Sequence, residues 1–450
     1  MKEKKSCVKS SPQEQSLSST NSIIIIPEPD VYLPDDCWEH VFSFIISQPE
    51  DKNKLKFKSL SIVSKQFLSI TNRLIFSMKI DHLHLCYLSR FFHRFSNLNS
   101  LDLSFGYRDL DAAIALALRD RPSLKSLSIS RIDLTHANYI NSYYIDSFVS
   151  LKSLNSLKFS CSEISDHLLY AIAREALPLK TFVLQNCTGG YSYHGIYSLL
   201  SKCHGIQYLG LQDVDFLNNH HLSRFSLLLP DLLSINLSGR SKLTESALFV
   251  LANCHSLGEI TMEHTRKERE ENSDALKDFD VNPRLKFLHL FSNLFINDHT
   301  IPLFASMFPS LQLLDLSYCH GISKNGISQL LSRCSKLTHL HLTYCGKVTR
   351  FKLNFVVPQL ELLNLSGTFV DDKTLYEISK SCGGLLKLYL ISCKYVTEKG
   401  VMWLVKKCKQ LKEIDLRGCD AVNAEVILSM LSPRSSLEKD SCSSDVLLKF

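Results

Sequence analysis

Fifteen cysteines in a chain of 450 residues could build a disulfide framework, a set of metal thiolates or an activated nucleophile, and their spacing decides among these chemistries. Cys187, Cys319, Cys345, Cys393 and Cys419 fall at one phase of a recurring pattern, and Cys203, Cys254, Cys334, Cys382 and Cys408 at another. Equivalent residues of a repeat stack in a row and do not converge on a point. Ten of the fifteen therefore read as small buried side chains, the usual role of a free thiol, and not as disulfides or metal ligands. His289, Asp315 and His341 share a phase in three successive copies and could in principle hold a metal. The alternative is a solvated polar ladder that happens to stack. There is no glycine-rich phosphate loop, nucleophile elbow or framed pair of carboxylates, so no catalytic residue, metal ligand or cofactor is assigned.

The copies that position these residues follow the pattern L-x-x-L-x-L-x-x-C. It is complete from Leu311, Leu337, Leu385 and Leu411, and looser from Leu98, Leu124, Leu154, Leu179, Ile206, Leu232, Leu257, Leu285 and Leu360. These are thirteen starts about 26 residues apart. Leu314 and Leu316 alternate with Asp315 and Ser317, the period of a strand with one buried face. Ile327, Leu330 and Leu331 then follow at helical spacing. One such unit cannot bury its own apolar face, so neighbours must stack with strands on a concave side and helices on a convex side. A hydrophobic content of 45% over a length beyond the roughly 250–300 residues of one compact core agrees with that reading.

On these residues the segment 98–431 resembles the cysteine-containing class of leucine-rich repeats. Ahead of it lies a second pattern. Leu33-Pro34-Asp35-Asp36 opens a helix whose Trp38, Val41, Phe42, Ile45 and Ile46 form an apolar stripe that Phe44 leaves, and Leu60 to Leu68 is again helically spaced. The core is too small to stand alone, so the unit needs a partner. Leu33-Pro34 at its start and Val63-Ser64-Lys65-Gln66-Phe67 at its end resemble the F-box, with Ser64 where cysteine is commoner and lysines in place of the usual proline-containing link. Read without that resemblance, the start is an ordinary helix N-terminus. The expected architecture is thus α/β, a leucine-rich-repeat solenoid (horseshoe) with a small N-terminal all-α F-box module, as in plant F-box proteins with such repeats. The expected boundaries are 1–30 flexible leader, 31–72 F-box, 73–97 link or cap, 98–431 repeats and 432–450 tail.

The F-box resemblance implies docking onto a Skp-type adaptor, and through it a cullin, in a ubiquitin ligase whose chemistry belongs to other subunits. Motif matching assigns adaptor contact to Leu33, Pro34, Phe44, Ile45, Val63, Lys65 and Phe67, while the stripe through Trp38, Val41, Ile45 and Leu60 could equally be internal core. The solenoid would then hold an unidentified target protein for ubiquitination and proteasomal degradation. Strand alternation puts Ser100, Asp102, Ser104, Ser126 and Ser128 on the early concave face, and Phe287, His289, Phe291, His339, His341 and Tyr389 on the later one. Those six are the expected target anchors, because large aromatics on an open face dominate interfaces. The alternative is that a neighbouring loop covers Phe287 and Phe291.

A charged stretch, Thr265 to Asp274, replaces one convex helix and is either a loop that adds to the target site or a solvated insertion. The last helix, around Ala424 to Leu431, should cap the stack, and the serine-rich segment after Pro433 reads as a loose tail. A net charge of +6 argues against nucleic acid, no apolar run reaches the roughly 20 residues of a bilayer span, and no signal-peptide core follows Met1. The expected compartment is cytoplasm or nucleus. Two further functions fit the same pattern: a hormone-like small-molecule co-receptor within the same ligase, which needs convergent basic residues, and a repeat scaffold that joins no ligase.

Overall fold

The computed structural model describes residues 33–46, 58–81, 83–105, 118–119, 121–131, 147–148, 150–239, 241–265, 280–423, 436–438 and 447–449. The chain divides after Leu74 into two compact units.

The first unit is helical. Helix α1 runs Asp35–Ile46 and begins where the Pro34 carbonyl accepts from the Cys37 N–H at 3.0 Å, with Asp35 and Asp36 in its first turn. Helix α2 runs Lys65–Arg73 and starts at Ser64, whose extended backbone and hydroxyl make it the N-cap, accepting from the Phe67 N–H at 3.0 Å. The two helices meet through three rings. Phe42 is fully buried, with Phe67 at 4.9 Å and Trp38 at 5.8 Å between centroids, and Trp38 lies 4.8 Å from Phe67. Arg73 adds a clamp by donating to Asp35 at 2.8 Å and Glu39 at 2.6 Å, while Gln66 donates to Asp35 at 2.9 Å. These ion pairs are about a third exposed and so are screened by solvent, which leaves the ring cluster as the main contact between the two helices.

The second unit is a leucine-rich-repeat solenoid built on one sheet, with sixteen strands among the described residues. The first fourteen, Ser77–Ile80 to Glu413–Asp415, are parallel and in sequence order, as right-handed stacking of identical turns requires. Each turn buries the pattern leucines, as at Leu314, Leu316, Leu340 and Leu342. The segment 73–97, expected as a link or cap, supplies the first strand, Ser77–Ile80, which pairs parallel with Ser100–Leu103. Ile75, Met78 and Ile80 stand there where later copies carry leucine. The tail also departs from expectation. Leu447–Lys449 pairs antiparallel with Glu413–Asp415, and Ser436–Glu438 pairs antiparallel with it in turn. The proposed capping helix at 424–431 and the charged stretch at 266–279 lie outside the described residues.

Two devices recur between turns. Asp298, in the turn before one helix, accepts from both the N–H (2.8 Å) and hydroxyl (2.5 Å) of Ser323, the N-cap of the next helix. Asp166 does the same to Ser192, and Asp372 to Thr397. The carboxylate fills the space beside the third residue of the next helix, which must be glycine: a Cβ on Gly400 would lie 2.4 Å from Asp372 Oδ1. The second device is the residue just before the cysteine position. Asn186, Asp213, His264, Ser292, Tyr318, Tyr344 and Ser392 have positive φ there, and each N–H continues the sheet by donating to the next turn, as Tyr318 does to Thr343 at 2.8 Å.

Candidate functional site

The cysteines answer the first chemical question. Every described cysteine is a free thiol. The thiols of Cys319, Cys345, Cys393 and Cys419 donate to the carbonyls of Leu290, Leu316, Leu365 and Leu390 in the preceding turn at 3.0–3.2 Å. Asn293 fills the same position by donating its amide to the Met262 carbonyl. Burial pushes Cys319, Cys345, Cys382 and Cys393 up to about 12, and Cys187, Cys203, Cys254, Cys334, Cys408 and Cys419 up to about 11. Thiols held that far above neutrality have almost no thiolate. Cys319, Cys345, Cys393 and Cys419 act as hydrogen-bonding spacers between turns, and the others are small buried or half-buried residues.

His289, Asp315 and His341 do fall in one register across three adjacent parallel strands. Asp315 is engaged locally, its Oδ1 accepting from the Ser317 N–H at 2.9 Å. Asn236, Asn364 and Asp415 accept from the residue two further on in the same way, which bends the chain toward the left-handed position that follows. Among the described residues no group of three His, Cys, Asp or Glu side chains could hold a metal ion. His289 instead approaches Glu259 at 3.8 Å. Burial pulls the His341 imidazole below its ordinary value, against the attraction of Asp315 and together with the repulsion of His339 and His289.

The six expected target anchors separate into four places. Phe287 starts its strand and lines an open depression of about 580 Å³ with Leu233, Glu259, Pro283, Arg284 and Lys286. His289, His339 and His341 are half-buried on the concave rows, with Leu313 and Asp315 on the strand between them. Tyr389 lies four strands beyond His289, roughly 19 Å at strand spacing, with its hydroxyl beside Glu413 and Lys387. Phe291, past the end of its strand, joins a different set. It stands edge-on to His264 at 5.0 Å and tilted against Tyr318 at 4.9 Å, and Tyr318 lies 5.0 Å from Tyr344. The Tyr344 ring covers Gly367, whose φ is +67° and where a Cβ would lie 2.5 Å from the ring. Strand alternation stops at the third leucine and so misses Tyr318 and Tyr344. The Tyr-Cys pairs at 318–319 and 344–345 were the signal available for them.

In the helical unit the motif-matched residues also divide. Phe67 is committed to the internal ring cluster, and Leu33 and Ile45 are half-buried. Pro34 and Lys65 are exposed, as are Phe44 at 69% and Val63 at 64%. Val41, expected in the buried stripe, is exposed on the same side of α1 as Phe44, three residues away. Ile62, which the motif did not single out, is 78% exposed in the turn before α2. Val41, Phe44, Ile62 and Val63 are thus large apolar side chains exposed on a small unit.

No protein-family model matches the chain. Over 141 residues it is 28% identical to F-box/LRR-repeat protein 4 of Bos taurus, covering 30% of this chain and 23% of that protein. Over 147 residues it is 29% identical to the DNA repair protein RAD7 of Saccharomyces cerevisiae, covering 31% of this chain and 25% of that protein. Over 131 residues it is 30% identical to Antagonist of mitotic exit network protein 1 of Eremothecium gossypii, covering 27% and 33%. The matches therefore span a quarter to a third of these curated relatives. Among solved structures, the yeast Rad7 and Elc1 complex has TM-score 0.42 at 16% identity, covering 81% of this chain and 90% of that chain. The leucine-rich repeat domain of APL1B has TM-score 0.33 at 13% identity, covering 88% and 94%.

Proposed function

We propose that the protein is a non-catalytic substrate receptor of a Skp/cullin/F-box ubiquitin ligase, in cytoplasm or nucleus. The helical unit docks on the Skp-type adaptor, and the repeats hold a target protein close to the conjugating enzyme. The observation that carries this reading is the exposed apolar set Val41, Phe44, Ile62 and Val63 on a unit whose core is three rings, on the same chain as a leucine-rich-repeat sheet. Distant similarity to an F-box/LRR-repeat protein supports it. Raised effective concentration and orientation are what such a receptor supplies to the transfer reaction.

Target binding centres on the aromatic rim of Phe291, Tyr318 and Tyr344, with His289, His339, His341 and Tyr389 completing the concave side. Adaptor docking is tested by co-purification: Leu33→Ala with Pro34→Ala should abolish it, and retention of the adaptor sinks the assignment. Target capture with the proteasome blocked should fail in Phe291→Ala with Tyr344→Ala. Unchanged capture there would remove the rim from the account.

A second reading, a small-molecule co-receptor in the same ligase, draws on the depression at Phe287. It brings Arg284 and Lys286 together, convergent cations that the strand rows alone lack. If it holds, Arg284→Ala with Lys286→Ala loses target capture while adaptor binding stays.

A further inference from the structure

The helices Asp372–Ser381 and Glu398–Lys407 are successive in the stack, and their outward faces repeat one composition. Lys373 and Lys399 occupy equivalent positions, as do Lys380 and Lys406, and all four are exposed. Lysines seven residues apart on a helix are about 10 Å apart along its axis, and packed helices are separated by about the same distance. The four lysine positions thus frame a square of roughly that edge at the backbone. At its centre Tyr376 meets Trp403 edge-on, with centroids 5.3 Å apart and planes at 65°. Lys380 sits over the Tyr376 ring at 5.4 Å and Lys399 over the Trp403 ring at 5.3 Å. Of the three acids on these helices, Asp372 is occupied by Thr397 and Glu398 accepts from the Asn423 N–H at 2.7 Å, which leaves Glu377 among five lysines.

We infer that this convex face is a docking surface for an acidic polypeptide segment of a protein partner, separate from the adaptor and target surfaces. The chemistry selects this occupant over other polyanions. Neither helix carries arginine, so the bidentate fork that favours phosphate is missing. Both ring faces already hold a cation and the rings meet edge-on, so no stacking platform is open to a nucleic acid base. On the two helices Tyr376, at 41%, is the one exposed large hydrophobic residue, so there is no apolar wedge for a bilayer. Hydrated ammonium groups on positions about 10 Å apart at the backbone suit carboxylates spread along a chain.

The test titrates fluorescently labelled poly-L-glutamate into the full chain at low ionic strength and reads anisotropy. Changing Lys373, Lys380, Lys399 and Lys406 together to Ala should weaken binding about tenfold, or about 1.4 kcal/mol in all. Changing Lys125, Lys180, Lys202 and Lys336, equally exposed elsewhere, should leave it within twofold. If the first variant melts early, Lys373→Gln with Lys406→Gln, which touches neither ring, should weaken binding about threefold. No binding, or equal loss in the patch and control variants, overturns the inference. So does a larger dependence of phosphatidylserine-vesicle or oligothymidylate binding than of poly-L-glutamate binding on the same lysines.

Discussion

In the helical unit Trp38, Phe42 and Phe67 make one local cluster and leave Phe44, Ile62 and Val63 exposed, whereas in the repeats the buried pattern residues form one continuous cluster that runs from Ile80 to Cys419. Stability is concentrated in the first case and distributed in the second. The helical unit rests on that ring cluster, buried Ile70 and the Arg73 clamp, and a partner that bound its folded form would stabilise it further, while a stack of near-identical turns tolerates local loss and offers a long rigid surface. The difference is the one that the proposed docking module and receptor require.

The largest expected effect follows from that concentration. Phe42→Ala removes the ring between Trp38 and Phe67 and costs about 3–5 kcal/mol, more than a core this small supplies. Trp38 fluorescence in a Trp403→Phe background should report unfolding of the helical unit while the repeat transition, followed by far-UV circular dichroism, stays in place. Loss of both transitions together would show that the units are not independent. In the repeats Gly400→Ala drives a Cβ to 2.4 Å from Asp372 Oδ1 and breaks the clamp to Thr397, lowering stability by about 1–3 kcal/mol in a thermal melt. Cys345→Ala loses the thiol hydrogen bond to the Leu316 carbonyl and leaves a small void, about 1–2 kcal/mol by denaturant titration.

A smaller effect separates the units by pH. His341 has a folded value below its ordinary 6.5, so its contribution is complete above that pH and is lost as pH falls below it. The repeat transition should weaken as pH falls below 6.5, and His341→Gln should flatten that slope. The helical unit responds at lower pH. Hydrogen bonds from Gln66 and Arg73 hold Asp35 below its ordinary 3.8, so its contribution is present above that value and lost on further acidification.

The period of the repeats was legible because every turn buries leucines at fixed positions, and the parallel register follows from stacking them. The first strand escaped detection because Met78 and Ile80 replace leucine, and no cysteine marks the end of that copy. Residues 447–449 escaped because an added antiparallel strand owes nothing to the 26-residue period. In the helical unit the spacing of Trp38, Phe42 and Phe67 identified helices but could not say which aromatic faces inward, since that depends on how α2 crosses α1. The shared register of His289, Asp315 and His341 was visible in the sequence, whereas the bond of Asp315 to the Ser317 N–H depends on the turn that follows. Tyr318 and Tyr344 lie beyond the alternation of the strand, at a left-handed position that only backbone geometry reveals.

The most direct test of the central claim is calorimetric titration of the full chain with a purified Skp-type adaptor, beside an Ile62→Asp, Val63→Asp variant. Both residues are more than 60% exposed, so the substitutions should leave each folding transition within about 0.5 kcal/mol. The account predicts binding at micromolar adaptor or below for the parent chain, and at least a hundredfold loss in the variant. Absence of binding by the parent chain, or equal affinity of the two, would contradict it.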